Sequence, residues 1–162
     1  MRRAAALAVA VVVFALAVGP AEASYRRRTD PRDADEPYDI RVTSLRSFEM
    51  RGGATGMVTK VRFFASDTPK SGVRLVWHLD TNGGPRTDRV VRLDSYANDP
   101  VTCEVYSTHS DASTKARTLK SRNRLACVFP RRLLRVRKPI RWRVAAWGPT
   151  LPDIAPNGGW FS

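Results

Sequence analysis

The sequence predicts an all-β fold: an antiparallel, jelly-roll-like β-sandwich with one disulfide. Three observations predict it. Apolar residues alternate with polar ones in stretch after stretch, the pattern of strands with one buried face. Gly, Pro, Asn and Asp punctuate the chain at turn-like intervals. Beyond the N-terminal apolar run, no segment sustains the 3.6-residue period of an amphipathic helix. Seven to nine short strands follow from this reading, and a closed barrel is the alternative.

Residues 1–23 stand outside that fold. Arg2 and Arg3 precede an apolar run of about fifteen residues, then Gly19-Pro20 and the small-x-small triplet Ala21-Glu22-Ala23. This is the layout of a cleaved export signal. The run is shorter than the roughly twenty residues a spanning helix needs, so no stable membrane insertion is expected. Residues 24–37, rich in charges of both signs with Pro31 and Pro37, read as a disordered, solvated leader. Residues 38–162 form the folded domain, a single-domain length expected to be monomeric.

Within that domain Ile40 and Val42 alternate with Arg41 and Thr43, predicting a first strand. The glycine-rich stretch 50–56 predicts a turn. Residues 57–65 place Thr59, Val61 and Phe63 opposite Lys60, Arg62 and Phe64. Residues 73–79 give the clearest pattern, with Val73, Leu75, Trp77 and Leu79 on one face and Arg74, Val76 and His78 on the other. The segment Asp80-Thr81-Asn82-Gly83-Gly84-Pro85 predicts a tight turn. Further strands are expected at 89–96, around Val101, Cys103 and Val105, and at Leu125, Cys127 and Phe129, which Pro130 ends. Residues 131–135 suggest a short helical turn. Ile140, Trp142 and Val144 then alternate with Arg141 and Arg143 in a last strong strand. Residues 116–119 read equally well as strand or loop.

Cys103 and Cys127 are the only cysteines. In an exported domain such a pair is expected as a disulfide, and their positions on two strands leave open whether it joins neighbouring strands or the two sheets.

Charge is the least ordinary feature. The formal charge of +13 becomes +12 once Arg2, Arg3 and Glu22 are removed. Such an excess favours anionic partners, and export argues against nucleic acid as the physiological one. Between residues 115 and 143 there are twelve Lys or Arg and no acidic residue. If Arg135 and Arg137 lie on a strand beside Arg141 and Arg143, four guanidinium groups share one surface, suited to phosphate, sulfate or carboxylate. Trp147, near a loop, is a candidate for stacking on a sugar, as Trp160 is, whereas Trp77 and Trp142 fall on core-facing positions.

Other chemistry finds less support. Asp80 and Asn82 occupy alternate positions of a calcium-type loop, but Gly84 and Val91 stand where further oxygen ligands are needed. No metal and no cofactor is expected. Glu49, Asp80, Asp94, Glu104 and Asp111 are scattered, and neither His78 nor His109 sits in a catalytic motif, so no catalytic residue is assigned.

Several segments together carry a resemblance: Trp77-x-Leu79-Asp80-Thr81-Asn82-Gly83-Gly84 through Asp88, Cys103 and Cys127, Phe129-Pro130-Arg131, Pro139-x-Arg141-Trp142-Arg143-Val144, and Pro152-Asp153-x-Ala155-Pro156. In that order they resemble small secreted β-sandwich proteins of high-GC Gram-positive bacteria, over roughly residues 38–162. A more distant similarity is to the jelly rolls of DOMON and family-nine carbohydrate-binding type. The resemblance implies a sandwich and brings no catalytic residue. Where such sequences carry a more acidic D-x-D-x-D turn, Asn82 and Gly84 depart from it, which removes the basis for inheriting a metal site there.

The functional expectation is a secreted, non-catalytic binding module for an anionic or carbohydrate polymer at the cell wall or beyond it. Arg135, Arg137, Arg141, Arg143 and Trp147 are its expected ligand-binding residues. The alternatives are a secreted hydrolase with a dispersed site, or a domain that binds another protein.

Overall fold

The computed structural model describes residues 25–34, 37–110, 112–149 and 152–162. The expected export signal at 1–23 and Asp111 lie outside the described residues. The described chain forms two antiparallel sheets. β1 (Tyr25–Thr29), β2 (Ile40–Glu49), β3 (Thr55–Phe63), β8 (Arg117–Ser121) and β9 (Arg124–Pro130) make a five-stranded sheet in the order β1-β2-β3-β9-β8. β4 (Val73–Asp80), β5 (Arg89–Ser95), β6 (Thr102–Ser107), β7 (Ser113–Lys115), β10 (Arg141–Trp147) and β11 (Asp153–Ala155) make a six-stranded sheet in the order β11-β10-β4-β5-β6-β7. A 3-10 turn, Arg131–Leu134, links β9 toward β10.

Alternation decides the faces. Val73, Leu75, Trp77 and Leu79 of β4 are buried, as are Trp142, Val144 and Ala146 of β10. Met57, Val61 and Phe63 of β3 and Leu125, Cys127 and Phe129 of β9 meet them from the other sheet. Full burial of Phe63 or Phe129 contributes about 1.5–3 kcal/mol relative to exposure, so these inner faces are what hold the sheets together. The Cys103–Cys127 disulfide, with Cα atoms 6.1 Å apart, runs from β6 to β9. It therefore joins the two sheets rather than neighbouring strands.

Three local features depart from the sequence reading. Ile40 pairs with Phe63 and Val42 with Arg62, leaving Arg41 as an extra residue in a β-bulge. The bulge advances the register by one, so Thr43 and Leu45 face inward and Val42 does not share a face with Ile40. The expected leader is ordered at Tyr25–Thr29, which pairs antiparallel with β2. An edge strand is held by backbone hydrogen bonds, so its lack of apolar side chains does not prevent pairing. The third departure concerns Arg135 and Arg137. They lie on the connection between the 3-10 turn and β10, not on a strand beside Arg141 and Arg143. Arg135 adopts a left-handed conformation at φ 48°, and the backbone N–H groups of Arg137 and Lys138 donate to the Thr81 carbonyl at 2.8 and 3.0 Å.

Candidate anion-binding face

The outer faces of the two sheets carry charge in opposite ways. On the six-stranded sheet, β4, β5 and β6 line up Arg74, Asp94, Arg92 and Glu104. Arg74 meets Asp94 at 2.6 Å, Asp94 meets Arg92 at 3.0 Å, and Arg92 meets Glu104 at 3.3 Å. Cation and carboxylate alternate along this ladder, so its charge is locally balanced.

The five-stranded sheet has no such balance. Register sets Arg27, Ser44, Lys60, Ala126 and Leu119 in one row across β1, β2, β3, β9 and β8. The row to one side includes Arg46, Val58, Val128 and Arg117; the row to the other includes Val42, Arg62, Arg124 and Ser121. Those rows hold six cations and no Asp or Glu. Neighbouring strands lie about 4.8 Å apart, so the face offers positive charge over roughly 19 Å.

Lys60 stands at its centre. Burial holds its ammonium below its ordinary pKa of 10.5, and the charges of Arg124, Arg27, Arg46 and Arg62 lower it further. Ser44 and Ala126, both small and buried, flank Lys60 and leave a dent beside it. The resulting cleft, about 430 Å³, is lined by Arg46, Lys60, Arg124, Leu119 and Lys120 above that floor. Among the described residues no carboxylate pairs with these cations, and the buried Arg62 Nε has no hydrogen-bond partner. A group of cations without counter-charges, arranged around a dent, can take an anion that supplies the missing charge.

The residues expected from the sequence fall in three places. Arg141 is committed to the turn that follows β4. Its Nε donates to Asp80 Oδ2 at 2.8 Å, and its Nη2 donates to the same oxygen and to the Gly84 carbonyl. Asp80 Oδ1 in turn accepts from the backbone N–H groups of Asn82, Gly83 and Gly84 at 3.2, 2.8 and 3.2 Å. Gly83 completes the turn at φ 81°, a conformation that favours glycine. Asp88 accepts from the Thr81 N–H at 3.0 Å and its hydroxyl at 2.9 Å. Both carboxylates are thus spent on holding the turn.

Arg143 lies over the Trp160 ring at 5.1 Å and pairs across the ladder with His78. Burial and Arg143 together depress the His78 pKa. Arg135 and Arg137 lie on the connection before β10, in adjoining clefts that share Arg131 and Val136. Trp147 sits at the far end of β10, 47% exposed, in a cleft of about 660 Å³ lined also by Tyr96, Tyr106, His78, Arg74 and Arg92. Six residues separate it from Arg141, roughly 20 Å along a strand. His109 is exposed on the β6–β7 turn, its backbone N–H donating to Ser107 Oγ at 3.2 Å.

The cationic face itself escaped the sequence reading, although Arg117 and Arg124 belong to the acid-free run. Its members come from five strands dispersed from Arg27 to Arg124. The available signal was local: Lys60 and Arg62 alternate with core residues on β3, as Arg46 does on β2. No family model, curated protein or solved structure matches this chain.

Proposed function

We propose that this protein is a non-catalytic binding module that works outside the cell and takes an anionic polymer on the outer face of its five-stranded sheet. One observation carries the reading: four arginines surround Lys60 on a face that, among the described residues, has no carboxylate. Folding like charges together costs stability, and a polymer bearing sulfate, phosphate or carboxylate groups at regular intervals offsets that cost at several points at once. The inter-sheet disulfide suits an oxidising compartment, in keeping with the export signal.

The test is the salt dependence of binding to a sulfated polysaccharide and to polyphosphate. Binding by counterion release makes the logarithm of affinity fall linearly with the logarithm of salt concentration. A steep negative slope for both polymers is expected. Affinity independent of salt would overturn the reading.

A second reading has its own observation. Trp147 and Tyr96 are exposed to 47% and 41% and line the same cleft on the six-stranded sheet, beside the charge-balanced ladder. Aromatic faces in such a cleft suit stacking on a neutral sugar ring. A screen of neutral glycans with Trp147→Ala as control separates this from polyanion binding: only the sugar reading expects salt-insensitive binding that the substitution removes.

A further inference from the structure

Four of the chain's fifteen acidic residues gather at one edge of the sandwich. Asp30, Asp33 and Asp39 belong to the connection between β1 and β2, and Asp153 opens β11 of the opposite sheet. Asp30, Asp33 and Asp153 each bring one carboxylate oxygen to within 4.8 Å of the others. Oxygens that share a single calcium ion, with Ca–O distances of about 2.3–2.6 Å, lie within this span of one another. Magnesium demands near-ideal octahedral geometry and dehydrates reluctantly, so three carboxylates drawn from two sheets suit calcium better.

A second observation points to a ligand. Asp39 is wholly buried, and among the described residues neither of its carboxylate oxygens has a hydrogen bond. Asp30 is 6% exposed, and its Oδ2 is likewise unpartnered. Buried carboxylates left in this condition are costly unless a cation or a proton meets them. The remaining members are held in place by neutral donors: the Ile40 N–H reaches Asp153 Oδ2 at 2.6 Å, and the Asn157 amide donates to Asp33 Oδ2. Arg32 is the cation whose charge acts on Asp39.

We propose that Asp30, Asp33 and Asp153 bind one calcium ion, with the buried Asp39 adding negative charge beside it. The ion bridges β11 of the six-stranded sheet to the β1–β2 connection of the five-stranded sheet, at an edge the disulfide does not reach. It also secures β1, the strand that carries Arg27. This departs from the sequence expectation of no metal and places the site away from the Asp80 turn, whose carboxylates are already engaged.

Titration of the full chain with CaCl₂ alone, by calorimetry and by thermal melting at pH 7.5, tests the assignment. One ion per chain and a rise in Tm of about 5 °C or more at about 10 mM calcium are expected, with a smaller rise in MgCl₂. Asp33→Asn should weaken calcium binding by at least about tenfold, and Asp39→Asn, which removes only neighbouring charge, by less. Their melting in EGTA should equal or exceed that of the parent, because a repelling charge is gone; Asp33, being exposed, is the variant that tests binding with least risk to folding. Absence of both heat and Tm shift at about 10 mM calcium overturns the site, and an equal shift with magnesium overturns the choice of ion.

Discussion

Arg62 on β3 stands directly opposite Arg124 on β9, two like charges paired across a ladder with no ion pair to either among the described residues. Such a pair works against folding. It sits on the same face as Arg27, Arg46 and Lys60, so the repulsion is shared by the whole group rather than confined to two side chains.

Replacing one member with its opposite should therefore separate stability from binding. Arg124→Glu places a carboxylate across from Arg62 and beside Lys60. We expect a gain of about 0.5–1 kcal/mol in urea unfolding without polymer, together with loss of polyanion binding. A variant that is both less stable and still able to bind would contradict the role given to this face.

Lys60 gives a protonation test. Its folded-state pKa is depressed, so the folded protein holds this proton less tightly than the unfolded chain does. The sign follows: stability from this group rises as pH climbs through the folded value toward 10.5, where the unfolded lysine also becomes neutral. Bound anions reverse the cause, and the Lys60 pKa should rise when polyanion is added. Side-chain NMR titration with and without polymer measures it; an unchanged pKa would place the polymer elsewhere.

Arg141 has a different part. Asp80 is wholly buried, and Arg141→Ala leaves its carboxylate without the guanidinium. A loss of about 3 kcal/mol in unfolding free energy is expected, while polyanion affinity stays within about twofold of the parent. Burial alone would raise the Asp80 pKa, but the bonds from Arg141, Gly83 and Asn82 outweigh it and hold the group below 3.8. The stability it contributes is present above that value and is lost as pH falls through the lower, folded one. Unfolding measured across the acid range should show this loss in the parent, and a smaller one in Arg141→Ala.

These contrasts show what a sequence can and cannot reveal here. Period-two alternation marks the core of β4 and β10 because Val73, Leu75, Trp77, Leu79, Trp142 and Val144 each answer to their own strand. The bulge at Arg41 is invisible to such counting, since one extra residue reverses every later face. β1 is hidden for another reason: its order comes from pairing with β2, not from Arg26, Arg27 and Arg28. The acid-free run of residues 115–143 is a true feature, yet folding disperses it. Arg117 and Arg124 go to the five-stranded sheet, Arg135 and Arg137 to a connection, Arg141 to Asp80 and Arg143 to Trp160. Proximity along the chain groups one set of cations; register across five strands groups another.

The disulfide offers a prediction independent of ligand. Cys103 and Cys127 are 24 positions apart and tie β6 to β9. Replacing both with Ala should lower unfolding free energy by about 3–4 kcal/mol through loss of that loop closure. Chemical denaturation of the oxidised parent and the double variant compares them directly.

The most direct measurement sets two triple variants side by side on one sulfated polysaccharide at about 0.1 M salt. Arg46→Ser with Lys60→Ser and Arg124→Ser empties the centre of the cationic face; Arg135→Ser with Arg137→Ser and Arg143→Ser removes the same formal charge elsewhere. Matching the change in net charge isolates position from long-range attraction. The first set should lose at least about tenfold in affinity and the second less than about threefold. Equal losses, or the larger loss in the second set, would contradict the assignment of binding to the five-stranded sheet.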